Sequence, residues 1–244
     1  MKLTVIGCWG GYPKKNEASS GYLLEHNGYN LLIDCGSGVL SKLQNYLQPQ
    51  QLDAVLLSHY HPDHNADIGV LYHARLIQGL LGTKPPTLPI YGHQLDEREF
   101  ANLTYKKITK GVAFDPEKTL QVGPFTVSFL QTVHPVPCFA MRVEAAGKVL
   151  VYTADTSYKE EFIAFSKQAD LLLCECNFYG NQSGKGAGHM NSFDAGNLAA
   201  AAEVQQLILT HLPHYGDTNQ LVIEANQKYN GPTQLASEGL SIML

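Results

Sequence analysis

The feature that most constrains the fold of this chain is a short stretch rich in metal-ligand side chains, which directly follows an apolar segment. The stretch reads Ser58-His59-Tyr60-His61-Pro62-Asp63-His64. The apolar segment, residues 54–57, predicts a short buried strand. A cluster of surface histidines is the alternative interpretation. It suits a lone histidine better than this string, because H-x-H-x-D-H after an apolar strand is a specific signal.

The spacing within this stretch arranges its ligands as two pairs. His59 and His61 are two residues apart, so an extended backbone directs both side chains to the same face. Asp63 and His64 follow Pro62, where the chain can turn into a helix. Imidazole nitrogen and carboxylate oxygen are ligands that zinc and similar divalent ions prefer. We therefore expect two adjacent metal ions, one for each pair.

Length, charge and cysteine content restrict the class of protein. A chain of 244 residues is long enough for one large domain with a sizeable core. The net charge of −5 provides no basic field for wrapping nucleic acid. The sequence shows no signal peptide and no apolar run of membrane-spanning length. Five scattered cysteines predict reduced cytosolic thiols rather than a disulfide framework. We expect a cytoplasmic protein with no membrane association and no stable nucleic-acid partner, and the sequence leaves a homodimer open.

Several elements can be predicted from local patterns. Residues 20–26 and 29–34 form a hairpin pattern, with Asn27-Gly28 as the turn. Helices are predicted over residues 68–81 and 222–229, and another begins near Asn191 or Ser192 as the cap. His93 ends a strand and is interpreted as a surface histidine. With no linker, repeat or low-complexity tract, residues 1–244 are expected to form a single domain.

The ligand stretch resembles the signature of the metallo-β-lactamase superfamily, and the resemblance spans nearly the whole chain. It implies an α/β fold of the α+β four-layer type. In this fold, the αβ/βα metallo-β-lactamase sandwich, two mixed β-sheets are flanked by helices. The family carries three further ligands on later strands: a lone histidine, a bridging aspartate and a final histidine. Residues of these types follow in the same order here, as His134, Asp155 and His211.

The resemblance also implies how the ligands are shared. One metal ion would bind His59, His61 and His134, the other Asp63, His64 and His211, with Asp155 as the bridge. Zinc is our choice, because nitrogen dominates this ligand set. Manganese and iron remain alternatives.

Two aspartates have a second interpretation. In the family, a residue placed like Asp34 accepts a hydrogen bond from a metal-bound imidazole, which raises the basicity of that ligand. Asp34 and Asp155 both also precede helical patterns, so either could be a helix N-cap. For Asp155 the match to the family's strand-then-T-x-D pattern favours the bridging role.

Two residues resemble the acid–base pair of the ribonuclease Z and phosphodiesterase branch. His189, in G-H-M-N before a helix, is similar to the histidine of that branch's H-S-T motif, which protonates the leaving oxygen. Glu175 is similar to the glutamate of its H-E-A motif, but Cys174 and Cys176 flank it here, so the match is partial. We assign His189, Glu175 and Asp63 as catalytic residues.

These resemblances imply a dinuclear hydrolase in which a bridging hydroxide attacks a small or cyclic phosphodiester. A carboxylic ester or lactone hydrolase using the same metals is the first alternative. A tRNA 3′ processing enzyme is disfavoured, because the tRNA-gripping arm that the family inserts after the third ligand motif has no room here. A non-catalytic metal-stabilised binding protein is disfavoured because a complete ligand set is retained, which a binding protein could lose. A β-lactamase is disfavoured because similarity of fold does not carry a substrate with it.

Overall fold

Two seven-stranded mixed β-sheets organise the chain, each in its own structural unit. The computed structural model describes all residues from Met1 to Leu244. The N-terminal unit comprises residues 2–115 and 237–243, and the C-terminal unit comprises residues 116–236 with Met1 and Leu244. The expected single domain stays a prediction.

The sheet of the N-terminal unit combines an antiparallel and a parallel half. Its strands are β1 (Lys2–Gly7), β2 (Gly21–His26), β3 (Tyr29–Ile33), β4 (Ala54–Leu56), β5 (Leu88–Gly92), β6 (Thr109–Ala113) and β14 (Ser241–Met243). They are ordered β14-β1-β2-β3-β4-β5-β6. Neighbours are antiparallel from β14 to β3 and parallel from β3 to β6. The carboxyl ends of β3 and β4 therefore lie at one edge of the sheet, where Asp34 and the ligand stretch follow them.

The helices of this unit cover an apolar core. They are α1 (Val39–Leu43), α2 (Pro62–Asn65), α3 (Ile68–Leu80) and α4 (Glu97–Ala101). The buried residues of α3 include Ile68 and Leu71, which belong to the core cluster. Arg75 is fully buried on the same helix, and its guanidinium donates to three backbone carbonyls, those of Pro49, Leu52 and Pro86. Arg75 is thus a structural residue that ties α3 to two loops.

The C-terminal unit repeats the same combination of pairings. Its strands are β7 (Leu120–Val122), β8 (Phe125–Gln131), β9 (Phe139–Ala145), β10 (Lys148–Tyr152), β11 (Leu171–Glu175), β12 (Leu207–Thr210) and β13 (Thr233–Leu235). The order is β13-β12-β11-β10-β9-β8-β7. Strands β7 to β10 are antiparallel, and β10 to β13 are parallel. The helices are α5 (Glu161–Phe165), α6 (Ser192–Ala201) and α7 (Asn219–Ala225).

Most predicted elements are confirmed, with two corrections. Helix α7 begins at Asn219 and ends at Ala225, so the predicted range 222–229 was wrong at both ends. His93 is buried, not at the surface, because the Tyr60 ring packs against it and the Tyr60 hydroxyl donates to its carbonyl. All five cysteines are free and buried. No helix combines the length and apolar character that a bilayer crossing requires.

Candidate metal centre

Asp34 is the centre of a buried hydrogen-bond network in the N-terminal unit. Its carboxylate is fully buried at the end of β3. Oδ1 accepts from the Ser58 backbone N–H at 2.7 Å, and Oδ2 accepts from the Ser58 hydroxyl at 2.8 Å. Oδ2 also lies 2.8 Å from Nδ1 of His64. The N-cap interpretation of Asp34 is wrong, because the N-cap of α1 is Gly38. The hydrogen bond to an imidazole, which the family resemblance implies, is present.

This network determines which ring nitrogen carries the proton in each of two histidines. A carboxylate only accepts, so Nδ1 of His64 carries the proton and Nε2 keeps its lone pair. The Ser58 hydroxyl donates its one proton to Asp34, so its oxygen accepts from Nδ1 of His59 at 3.0 Å. Nε2 of His59 then lies 3.1 Å from Nδ1 of His61. Asp34 therefore orients His64 directly and His59 through Ser58, which is the arrangement typical of metal-binding histidines.

Asp63 is positioned by backbone contacts on two sides. It lies in α2, whose N-cap residue His61 has an extended backbone. The Gly11 N–H donates to Asp63 Oδ2 at 2.6 Å, and this oxygen is 3.6 Å from Nε2 of His64. Gly36 packs so closely that a Cβ there would lie 1.9 Å from the Asp63 carbonyl oxygen. The glycine-rich loop of residues 7–13 thus aims the carboxylate that the sequence offers as a ligand.

In the C-terminal unit, Asp155 lies between two predicted ligands. Its Oδ2 is 3.3 Å from Nε2 of His211 and 3.9 Å from Nε2 of His134, and all three side chains are almost completely buried. The N-cap interpretation of Asp155 is wrong, since the N-cap of α5 is Glu160. One carboxylate oxygen close to two imidazoles is the geometry expected of a bridging ligand.

The backbone around these histidines orients them. Nδ1 of His134 lies 3.1 Å from the Gly188 carbonyl, so it is the protonated nitrogen and Nε2 faces Asp155. A Cβ at position 188 would lie 2.9 Å from that Nδ1, so only glycine fits there. The Asn177 amide donates to the His211 carbonyl at 2.9 Å.

His189 and Glu175 are in direct contact. Nδ1 of His189 lies 2.8 Å from Oε1 of Glu175, which also accepts from the Thr156 N–H at 2.9 Å. The other oxygen, Oε2, is buried with no hydrogen-bond partner. The His189 ring stacks on His211 with centroids 5.0 Å apart. His189 precedes the N-cap of α6, Asn191, so it lies just before the helix, as the sequence predicts.

Three residues at strand ends adopt the left-handed backbone conformation that L-residues rarely use. The φ angles are 55° at Asp34, 50° at Ala154 and 53° at His211. Asp34 and His211 immediately follow β3 and β12, and Ala154 lies two residues after β10, just before Asp155. Such strain is frequent at functional sites.

The flanking cysteines are not ligands in this arrangement. Cys174 and Cys176 are fully buried, and burial raises the pKa of both thiols well above the ordinary value. Metal binding requires the thiolate, so neutral buried thiols act as small apolar side chains.

Sequence reasoning missed Ser58 and the Gly11 N–H. Ser58 could have been suspected, because it directly precedes His59, a predicted ligand. The role of the Gly11 N–H could not be identified from the sequence, since every residue except proline has a backbone N–H.

Known proteins resemble this chain over most of its length. A family described as "Beta-lactamase superfamily domain" matches residues 29–212. The "Probable metallo-hydrolase YhfI" of Bacillus subtilis (strain 168) is 54% identical, over 98% of this chain and 98% of that protein. The crystal structure of YhfI matches with a TM-score of 0.98 and 53% identity, covering 99% of this chain and 98% of YhfI.

Two more distant structures share the fold. The short form of human tRNase Z has a TM-score of 0.78 at 22% identity, covering 100% of this chain and 99% of that one. A diphosphatase from the PhnP family has a TM-score of 0.78 at 15% identity, covering 100% and 97%. The family match covers most of the chain, and YhfI is more than half identical to it. This chain therefore belongs to the β-lactamase superfamily and has the metallo-β-lactamase fold, with two mixed β-sheets flanked by helices, as its H-x-H-x-D-H stretch predicts.

Proposed function

We propose that this protein is a metal-dependent hydrolase that cleaves a small or cyclic phosphodiester with the help of two divalent cations. The name of YhfI, a probable metallo-hydrolase at 54% identity, supports hydrolysis. The sharing of the ligands is the one that the family resemblance implies. The residues that would hold the cations are His59, His61 and His134 for one, Asp63, His64 and His211 for the other, and Asp155 between them.

The donor chemistry of these residues fits such cations. Nδ1 of each of three histidines faces a protein group, namely the Ser58 hydroxyl for His59, the Asp34 carboxylate for His64 and the Gly188 carbonyl for His134, so Nε2 is the nitrogen that would bind a cation. The set is dominated by nitrogen and contains no thiolate, which favours zinc over manganese or iron. When bound, the cations would act as Lewis acids that activate water and offset negative charge on the phosphoryl oxygens.

The observation that carries the phosphodiester assignment is the contact between Glu175 and His189. The carboxylate accepts from Nδ1, so Nε2 is the ring nitrogen that can offer a proton to substrate. In phosphodiester hydrolysis, negative charge grows on the leaving oxygen, and a positioned acid lowers the barrier. Glu175, buried and also held by the Thr156 N–H, keeps the imidazole in that orientation.

A tRNA precursor is not the substrate in this proposal. The chain between His134 and Asp155 contains only β9, β10 and the turn that joins them. In the family, the tRNA-gripping arm is inserted at this place, and this chain has no such insertion between the two residues. We propose a small-molecule substrate, no stable nucleic-acid partner and a cytoplasmic location.

The test is the His189→Ala variant, assayed on bis(4-nitrophenyl) phosphate and on 4-nitrophenyl acetate. Removing a positioned acid lowers kcat by about 10²–10⁴-fold. We expect this loss on the phosphodiester, with metal content unchanged, and a milder loss for Glu175→Gln. His73→Ala, which removes an exposed imidazole on α3, is the matched control and should behave like the parent. If His189→Ala kept full phosphodiester turnover, or if the parent hydrolysed only the ester, the proposal would be replaced by the alternative of a carboxylic ester or lactone hydrolase.

A further inference from the structure

A cavity of about 270 Å³ lies in the N-terminal unit, where α2, the start of α3 and α4 meet. It combines apolar and polar walls. Ile68 and Leu103, both buried members of the core cluster, are its apolar part. Its polar side chains are those of Asn65, Tyr72, Glu99 and Asn102. The volume lies just below the usual range of small-ligand pockets, so the cavity suits one small chemical group.

The four polar side chains of this cavity are not used by the protein. None of their carboxylate, hydroxyl or amide groups has a hydrogen-bond partner within the chain. A carboxylate only accepts hydrogen bonds, and the oxygen of an amide or a hydroxyl accepts them as well. A ligand in the cavity would therefore meet four side chains that can each accept a hydrogen bond.

The charge of the cavity indicates which ligand chemistry fits. Glu99 is the only charged side chain of its wall. Two other carboxylates on these helices are engaged elsewhere: Asp67 accepts from the Leu40 N–H at 2.8 Å, and Asp96 accepts from the Glu99 N–H at 3.0 Å. Burial, and then the Asp96 and Glu99 carboxylates, raise the pKa of the Tyr60 phenol, so the potential on this side of the unit is negative. The cavity therefore attracts a cation and repels an anion.

The aromatic wall of the cavity is held in place by stacking. The Tyr72 ring stacks on the Tyr105 ring, with centroids 4.3 Å apart and planes inclined by 16°. The Tyr72 hydroxyl lies beside Gly69, where a Cβ would be 3.7 Å from it. The Lys106 ammonium lies 5.1 Å from the Tyr105 centroid and is not part of the wall. The cavity is thus pre-formed, which spares a ligand the cost of ordering it.

We propose that this cavity binds a primary ammonium group carried on a short alkyl chain. An ammonium has three N–H donors, and the Glu99 carboxylate, the Tyr72 hydroxyl and two amide oxygens supply the acceptors. The alkyl chain would pack on Ile68 and Leu103. A free aliphatic amine and a lysine side chain of a partner protein both present this chemistry. The inference does not depend on the proposed function.

The wall selects a primary ammonium over three groups of similar size. A neutral alcohol lacks the charge that Glu99 would offset. A carboxylate would be repelled by Glu99. A trimethylated ammonium keeps its charge but has no N–H to donate to the unused acceptors.

The experiment is a titration of isotope-labelled protein, followed by the NMR signals of the side-chain amides of Asn65 and Asn102. The probes are butylamine, butanol, butyrate and butyltrimethylammonium. We expect butylamine to shift both amide signals and to saturate at about millimolar concentration. The other three compounds should bind at least about 10-fold more weakly.

A fifth probe, lysine with both backbone ends blocked, distinguishes the two sources of the ammonium. Tighter binding than that of butylamine supports a lysine of a partner protein, because the site then also accommodates the peptide backbone. Weaker binding supports a free amine.

Variants test whether the cavity is the place of binding. Glu99→Gln should weaken butylamine binding by about 10- to 100-fold, as for the loss of a hydrogen bond to a charged group. Tyr72→Phe should weaken it by about 2- to 10-fold, as for a neutral hydrogen bond. Glu97→Gln makes the same chemical change on the same helix outside the cavity and should bind butylamine like the parent.

Three outcomes would overturn the inference. One is a parent in which butylamine causes no saturable shift of the two amide signals. A second is equal binding of butylamine and butanol, which rejects selection by charge. The third is parental affinity in Glu99→Gln, or an equal loss in Glu97→Gln, with Tyr72→Phe deciding if Glu99→Gln does not fold.

Discussion

Replacing Asp34 by alanine tests the buried network on which the histidines of the N-terminal unit depend. The carboxylate accepts from three donors, the backbone N–H and hydroxyl of Ser58 and Nδ1 of His64. Asp34, Ser58 and His64 are all fully buried, so water cannot replace the lost acceptor without a rearrangement. The variant should therefore be destabilised even when no metal is bound.

The expected magnitude follows from the number of donors. A buried donor left without a partner costs about 1–3 kcal/mol. With three donors and partial relaxation, we expect the free energy of unfolding to fall by about 3–6 kcal/mol. Alanine is also less tolerant of the left-handed backbone at this position than aspartate, which adds to the loss.

The measurement is urea unfolding in excess chelator, followed by circular dichroism and by the fluorescence of Trp9. Trp9 is the only tryptophan of the chain and is buried in the N-terminal unit. Asp53→Ala is the control, because its carboxylate accepts one backbone N–H, that of Asn30, and it should cost about 1 kcal/mol.

A second variant separates stability from metal binding. Asp34→Asn tolerates the left-handed backbone and keeps one acceptor oxygen, so it should be less destabilised than Asp34→Ala. It should still bind zinc about 10- to 100-fold more weakly, since the partner of His64 has lost its charge. If Asp34→Ala unfolded with the same free energy as Asp53→Ala, the network would not have the role that we assign to it.

Three further predictions concern other parts of the molecule. Elemental analysis of the parent should approach two metal equivalents, and Asp155→Ala should lose both ions; loss of only one would contradict a bridging role. Ala146→Gly, at a φ of 50° in the exposed turn before β10, should raise the free energy of unfolding by about 0.5–1 kcal/mol, whereas Ala200→Gly in α6 should lower it by about 1 kcal/mol. Burial raises the pKa of Cys8 to about 12, and the thiolate is the reactive form of cysteine. A thiol reagent at about pH 8 should therefore label fewer than one cysteine per molecule of native protein, but all five cysteines of the urea-unfolded protein. Rapid labelling of the native protein would show that the cysteines are not buried.

Local patterns were sufficient for the features that depend on near neighbours in the chain. The two-residue spacing of His59 and His61 and the proline before Asp63 predict an extended segment followed by a short helix, and α2 begins at Pro62. The Asn27-Gly28 turn likewise predicts the β2–β3 hairpin. These features follow from backbone periodicity and turn chemistry, which operate over a few residues.

Other features depend on which strands become neighbours, and a sequence pattern does not report that. Strand β6 escaped prediction because its five residues have no apolar alternation, and it is held by pairing with β5. His93 is buried only because Tyr60, on a different strand end, covers it.

The types of the predicted ligands and their order along the chain were determined by the sequence alone, because metal preference is a property of each side chain. The orientation of those ligands was decided by the tertiary structure. Ser58 links His59 to Asp34 only because parallel pairing sets the ends of β3 and β4 side by side. Glu175 reaches His189 only because the loop before α6 returns to the end of β11. Such contacts join residues that are distant in sequence, so their geometry is set by packing and not by any local preference of the chain.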